Sequence, residues 1–221
     1  QEFLDEVYRY VKKWRTTDRL DKALLRAVNN NFPESISRTM LEFNLSPQFF
    51  YLALQESDFK LKTIGPRTRF GIAKGMWQFI PATATRYGLK TGPLAGHRRY
   101  DPKDERFDAE KSTRAAARYI RDIYETEAQA SGLLVVASYN WGERKVRELL
   151  QKMPQNPSER NFWELLKLYK KEIPRETYNY VFYIISAAVI CENPELFGFG
   201  FDNPLQQISE QLPDSLISQS F

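Results

Sequence analysis

The 221-residue chain has one cysteine, Cys191, and one histidine, His97. A lone thiol cannot close an internal disulfide, and a lone imidazole argues against a zinc site or a His-based triad. Long apolar runs are missing too. The longest, Val181 to Cys191, spans eleven residues even with Ser186 counted in, well short of the ~20 that cross a bilayer. No basic n-region, apolar h-region and cleavage site opens the chain. Acidic residues are absent from one long stretch. None lies between Asp58 and Asp101, where nine Lys or Arg occur: Lys60, Lys62, Arg67, Arg69, Lys74, Arg86, Lys90, Arg98 and Arg99. From Glu176 onward the pattern reverses, with six acids and no Lys or Arg. Two solvated faces of opposite sign are the ordinary reading of such runs. The sharper expectation is that residues 59–100 line a site facing a negatively charged partner.

What is present suits a real core. Hydrophobic residues make up 42% and aromatics 14%, enough to exclude disorder as the default. The size of 26.0 kDa fits one domain with an embellishment at each end. Strand alternation persists nowhere, whereas helical spacing recurs throughout, so the fold class is all-α. Phe3, Val7, Tyr10, Val11 and Trp14 form one stripe; Leu20, Leu24, Ala27 and Val28 form another. Pro33 opens a helix carrying Ile36, Met40 and Phe43. Ser46-Pro47 starts the next, which runs to about Ser57, because a capping hydroxyl precedes a proline whose missing N–H costs nothing there. Glycines and prolines in 60–75 predict a loop or a small hairpin, and those in 90–104 a second loop. Pro81 opens a helix through Tyr87. Further helices are expected over 108–131, 133–150, 162–171 and 174–192. After Phe201 the chain reads as polar and irregular. The expected organisation is an N-terminal helical extension over 1–32, a main domain over 33–201 and a tail over 202–221.

Glu56 is the residue most suited to chemistry. At 100° per residue, Phe49, Leu52 and Ala53 lie within about 60° of it around the helix, and Asp58 points nearly the opposite way. A carboxyl shielded from water resists ionisation, so its pKa rises toward what a general acid needs at neutral pH. The bland alternative is a Glu near a helix end that reaches past the core into solvent. A common glycosidase scheme needs two carboxyls ~5–10 Å apart. Asp58 faces away and 59–100 offers none, although Asp101, Glu143 or Glu192 could return in space. The economical scheme is substrate assistance, in which a 2-acetamido sugar stabilises its own anomeric cation and one carboxyl acts first as acid, then as base. Three clusters accompany Glu56. Gly75-Met76-Trp77-Gln78 joins a flexible backbone to a flat aromatic and an amide. Ala137-Ser138-Tyr139-Asn140 follows an apolar helical run, and Glu176-Thr177-Tyr178-Asn179-Tyr180-Val181 opens the last long helix. Each taken singly is more often core packing with a satisfied polar tip.

In this order, these segments resemble the lytic transglycosylases of the bacterial cell envelope, in particular the membrane-bound D-like group. The likeness rests on Leu54-Gln55-Glu56-Ser57, Gly75 to Pro81, Tyr87-Gly88-Leu89, Tyr100-Asp101-Pro102 and Ser112-Thr113. It continues through Val136 to Glu143, Pro174 to Thr177 and Tyr180-Val181. It runs from about Pro33 to Phe199. The resemblance implies a lysozyme-like (goose-type or SLT) helical domain with a glycan-binding groove. It implies Glu56 as the catalytic acid and base, with Ser57, Met76, Gln78, Tyr139, Asn140 and Tyr180 binding substrate or orienting Glu56. The implied reaction is non-hydrolytic cleavage of the β-1,4 bond between N-acetylmuramic acid and N-acetylglucosamine, giving a 1,6-anhydro product, with no metal and no cofactor. The implied partner is the peptidoglycan strand and not nucleic acid. The implied setting is the periplasm, as a monomer, with any membrane or lipid anchor outside this chain. Two departures bear on subsites: Trp141 stands where Ser or Ala is usual, and the loop from Lys60 to Lys74 is long and basic. A goose-type hydrolase and a non-catalytic peptidoglycan-binding scaffold are the competing readings.

Overall fold

A computed structural model describes residues 2–156 and 159–210. The chain forms two compact units, Arg19–Tyr119 and the paired segments Gln1–Asp18 and Ile120–Phe221. The first unit holds α2 (Arg19–Asn29), α3 (Phe32–Glu42), α4 (Phe50–Ser57), strands β1 (Ile64–Thr68) and β2 (Gly71–Lys74), α5 (Pro81–Arg86) and the start of α6 (Ala109–Tyr124). Leu20, Leu24, Ala27, Ile36, Met40 and Leu52 are buried where α2 meets α3 and α3 meets α4. Val28, expected in the α2 stripe, is instead 58% exposed. It sits about 80° around the helix from Leu20, off the edge of the buried face.

The entry to α4 follows the capping logic of its sequence. Ser46 Oγ accepts the Gln48 N–H at 3.3 Å, and Pro47 begins one 3-10 turn, Pro47–Phe49, before the α-helix. The helix stops at Asp58, whose left-handed backbone (φ 51°) reverses the chain. Asp58 is held there from outside: Arg19 Nε donates to its carboxylate at 2.7 Å and Arg26 Nη1 to its carbonyl at 2.6 Å. Residues 64–74 form an antiparallel hairpin in which Thr68 pairs with Gly71 across a two-residue turn. Gly71 takes φ 102°, a conformation L side chains rarely adopt.

The second unit is organised around α10 (Arg175–Glu192), which packs against α1 (Glu2–Arg15) and α7 (Gly132–Trp141). Trp14 of α1 is buried and donates Nε1–H to Ser186 Oγ at 3.0 Å, while Tyr10 O–H donates to Asn179 Oδ1 at 2.5 Å. The Tyr10 phenol is pushed up to about 12, chiefly by burial. The single helix expected over 133–150 is two, α7 and α8 (Glu143–Leu150), broken at Gly142 with φ 101°. The helix expected to reach Ser131 ends at Tyr124; Thr126 Oγ1 then accepts the Ala128 N–H and starts a separate 3-10 turn. The last helices are α9 (Phe162–Tyr169), α10 and a short α11 (Gln206–Ser209) inside the segment expected to be irregular. The expected tail over 211–221 lies outside the described residues. Among the described residues no helix is long and apolar enough to cross a membrane.

Candidate active site

Glu56 is the penultimate residue of α4 and is half-buried. The residues beneath it, Phe49, Leu52 and Ala53, are buried, as the helical spacing predicts. Ser57 ends the helix. It is buried, and its hydroxyl donates to the Met76 carbonyl at 2.8 Å, with the Ala53 carbonyl at 3.3 Å. A short polar side chain at a helix end thus ties the Glu56 turn to residues 75–78, nineteen residues away in sequence. The Met76 side chain is fully enclosed, so what Met76 presents to Ser57 is its backbone.

Gln78 has a left-handed backbone (φ 49°) and is half-buried. Its Nε2 donates to the Gly75 carbonyl at 2.7 Å and to the Thr63 carbonyl at 3.3 Å. Those bonds orient the carboxamide before any ligand arrives. Trp77, the flat aromatic of this segment, is 1% exposed and donates Nε1–H to Thr113 Oγ1 at 3.0 Å. The indole belongs to the core.

A buried ionic cluster supports this turn, and sequence spacing did not reveal it. Arg106, Asp104 and Lys74 have no measurable side-chain exposure. Arg106 donates twice to Asp104, from Nε at 2.9 Å and from Nη2 at 2.6 Å, and its Nη1 reaches the Ile72 and Phe79 carbonyls at 2.8 and 3.0 Å. Lys74 lies 3.7 Å from Asp104 and donates Nζ–H to the Leu94 and Arg99 carbonyls at 2.8 and 3.1 Å. Burial pushes the Lys74 ammonium below its ordinary value, against the pull of Asp104. Lys74 was expected to face an anionic partner with the rest of residues 59–100; it is instead an internal brace. Asp101 is also turned inward. Its carboxylate accepts the Leu94 and Lys103 N–H groups at 3.0 Å each, and these bonds hold its pKa below the ordinary 3.8.

Gly75 lets these parts approach one another. At φ 83°, a Cβ added there would lie 1.7 Å from the Arg106 carbonyl oxygen. Gly75→Ala is therefore expected to destabilise the unit by more than about 1 kcal/mol, since neither the conformation nor the space tolerates a methyl. Urea unfolding followed by tryptophan fluorescence checks it; a midpoint unchanged from the parent contradicts the close approach.

The other expected residues belong to the second unit. Tyr139 and Asn140 are half-buried near the end of α7. Asn140 Oδ1 accepts the Thr177 hydroxyl at 2.8 Å, which orients the amide from α10. Thr177 was quoted within a motif, but its pairing with Asn140 was not foreseen. Tyr180, one turn further along α10, is 5% exposed. Each unit therefore gathers its own share of the expected residues: Glu56, Ser57, Met76 and Gln78 in one, Tyr139, Asn140 and Tyr180 in the other. Among the described residues no His, Cys, Asp and Glu cluster is arranged to hold a metal ion.

Known proteins resemble this chain in sequence and in fold. Membrane-bound lytic murein transglycosylase D of Escherichia coli, in strain K12 and in an O6:H1 strain, is 32% identical over 126 residues. That match covers 57% of this chain and 25% of the relative, so the chain spans about a quarter of the length of the curated relatives it matches. Among solved structures, an inactive mutant of the lytic transglycosylase Slt from Pseudomonas aeruginosa superposes with a TM-score of 0.51. It is 22% identical, with 76% of this chain and 26% of that chain covered, and shows that the fold is shared. The sequence model of the transglycosylase SLT domain matches residues 34–162. With more than half of its length in that match, the chain belongs to the transglycosylase SLT domain family.

Proposed function

We propose that the chain is a peptidoglycan lytic transglycosylase of the cell envelope, acting as a monomer through Glu56. The observation that carries this reading is a half-buried carboxyl at the end of a helix whose apolar residues are enclosed, with its turn pinned by Ser57 to the Gly75–Gln78 segment. The next three carboxylates along the chain are already engaged. Asp58 is paired with Arg19, Asp101 accepts backbone N–H groups of its own loop, and Asp104 is held by Arg106. This favours one carboxyl over two.

The steps balance with one proton. Glu56 donates its proton to the glycosidic oxygen as the bond to the muramyl anomeric carbon breaks. The 2-acetamido carbonyl oxygen bonds to that carbon and carries the positive charge. The C6 hydroxyl oxygen then attacks the same carbon, the acetamido oxygen leaves, and the Glu56 carboxylate takes the hydroxyl proton. A 1,6-anhydromuramyl end results and Glu56 is protonated again. Ser57 and the Met76 backbone hold the Glu56 turn. Gln78 in the first unit offers an amide to sugar hydroxyls, and Tyr139, Asn140 and Tyr180 in the second offer an amide and two phenols of their own.

Digestion of purified peptidoglycan followed by mass analysis tests the reading. Anhydro ends, lighter by one water than ordinary reducing ends, are expected throughout; reducing ends in their place would make the enzyme a hydrolase of the goose-type class. Because Glu56 must begin protonated, the rate is expected to fall as pH rises through its pKa. A rate that stays level from mildly acidic to alkaline pH contradicts Glu56 as the acid.

A further inference from the structure

The hairpin tip and the loop beyond it combine into one surface that catalysis does not explain. Phe70, at the turn between β1 and β2, is 61% exposed, and Tyr100 is 44% exposed. Around them stand exposed Lys62, Arg67, Arg69, Arg98 and Arg99, none with a carboxylate partner among the described residues. The two acids that bracket the run are engaged elsewhere: Asp58 with Arg19 and Lys60, and Asp101 with backbone N–H groups. The surface is also rigidly assembled. Arg67 Nη2 donates to the Gly96 carbonyl at 2.6 Å, joining hairpin to loop, and buried Lys74 holds that loop from beneath through Leu94 and Arg99.

We infer that this cationic hairpin surface docks on an anionic lipid bilayer, with Phe70 entering the interface and the surrounding arginines meeting lipid phosphates. The placement of the rings separates a bilayer from a glycan. A sugar stacks on an open aromatic face, but the Arg69 guanidinium lies 4.7 Å over the Phe70 ring and the Lys62 ammonium 4.6 Å over the Tyr100 ring. Each cation covers one face of its ring, and Phe107 lies against Tyr100 with centroids 5.0 Å apart, so Phe70 is the ring that protrudes, with a cation at its back. A protruding phenylalanine beside unpaired cations is the chemistry of an interfacial anchor, where apolar insertion and attraction to anionic headgroups add.

The test is sedimentation of the full chain with vesicles. Phosphatidylglycerol–phosphatidylethanolamine vesicles are expected to bind it at least about tenfold better than phosphatidylcholine vesicles. Each cation near such a surface is worth roughly fivefold, so Arg69→Ser with Arg98→Ser is expected to lower the anionic partition about 25-fold. Phe70→Ser is expected to lower it several-fold and to leave the remainder removable by salt, because apolar insertion is not screened. Circular dichroism confirms that these surface variants fold. Equal binding to both vesicle types, or none, overturns the inference. So does a Phe70→Ser variant that binds vesicles like the parent while the arginine variant loses lipid-free sacculi, which would assign the surface to wall polymer. Turnover of soluble glycan strands is measured alongside, and its persistence separates failure here from failure of the catalytic proposal.

Discussion

Glu56→Gln is expected to reduce turnover of purified peptidoglycan toward the upper end of the roughly 10²- to 10⁴-fold that general acid–base catalysis contributes. The loss is large because one group serves both steps: the amide can neither protonate the leaving oxygen nor take up the C6 hydroxyl proton. Its shape is nearly that of the carboxyl, and Glu56 is half-buried, not enclosed. The thermal midpoint and the helical content should therefore stay close to the parent. Pull-down on sacculi should be retained, which separates lost chemistry from lost binding. A variant that clears walls as fast as the parent would mean that Glu56 is not the catalyst, and a scaffold role would then account for the fold.

The largest effect on stability is expected from Asp104→Ala. Its carboxylate is the shared counter-ion of Arg106 and Lys74, all three without side-chain exposure. Removing one partner of a buried ion pair strands the other charges, at a cost of about 3–5 kcal/mol. For a chain of this size that corresponds to a fall in Tm of roughly 6–20 °C. The triple change Asp104→Leu, Arg106→Met and Lys74→Met discriminates the cause. With every charge removed, about half or more of the lost stability should return. If the triple variant is no more stable than Asp104→Ala, the hydrogen bonds from Arg106 to Ile72 and Phe79, and from Lys74 to Leu94 and Arg99, outweigh the stranded charge. Activity should fall with stability, because the same cluster abuts the Gly75 turn that carries Gln78.

Much of this was legible beforehand where it depends on local rules. The Ser46-Pro47 start and the buried Phe49, Leu52 and Ala53 beneath Glu56 follow from helical periodicity and capping. Other features needed partners from elsewhere in the chain. Trp77 stood out only as a flat aromatic, because an exposed and a buried indole have the same neighbours in sequence; Thr113, thirty-six residues on, marks it as core. The chain's compact units divide between residues 18 and 19 and between 119 and 120. α1 therefore folds with the C-terminal helices, held by Trp14 and Tyr10, whose partners lie about 170 residues away.

The charge pattern shows the division most plainly. From the sequence by itself came the helical class, the place of Glu56 at the end of an apolar helix and a stretch of cations without acids, since each depends on spacing along one segment. Tertiary structure alone decided which cation faces water. Arg69 and Arg98 remain outside, whereas Lys74, from the same run, is enclosed. The reason is energetic: an ammonium can leave water when carbonyls and a carboxylate replace its hydration. For Lys74 those groups come from residues 94, 99 and 104, which chain folding brings to it.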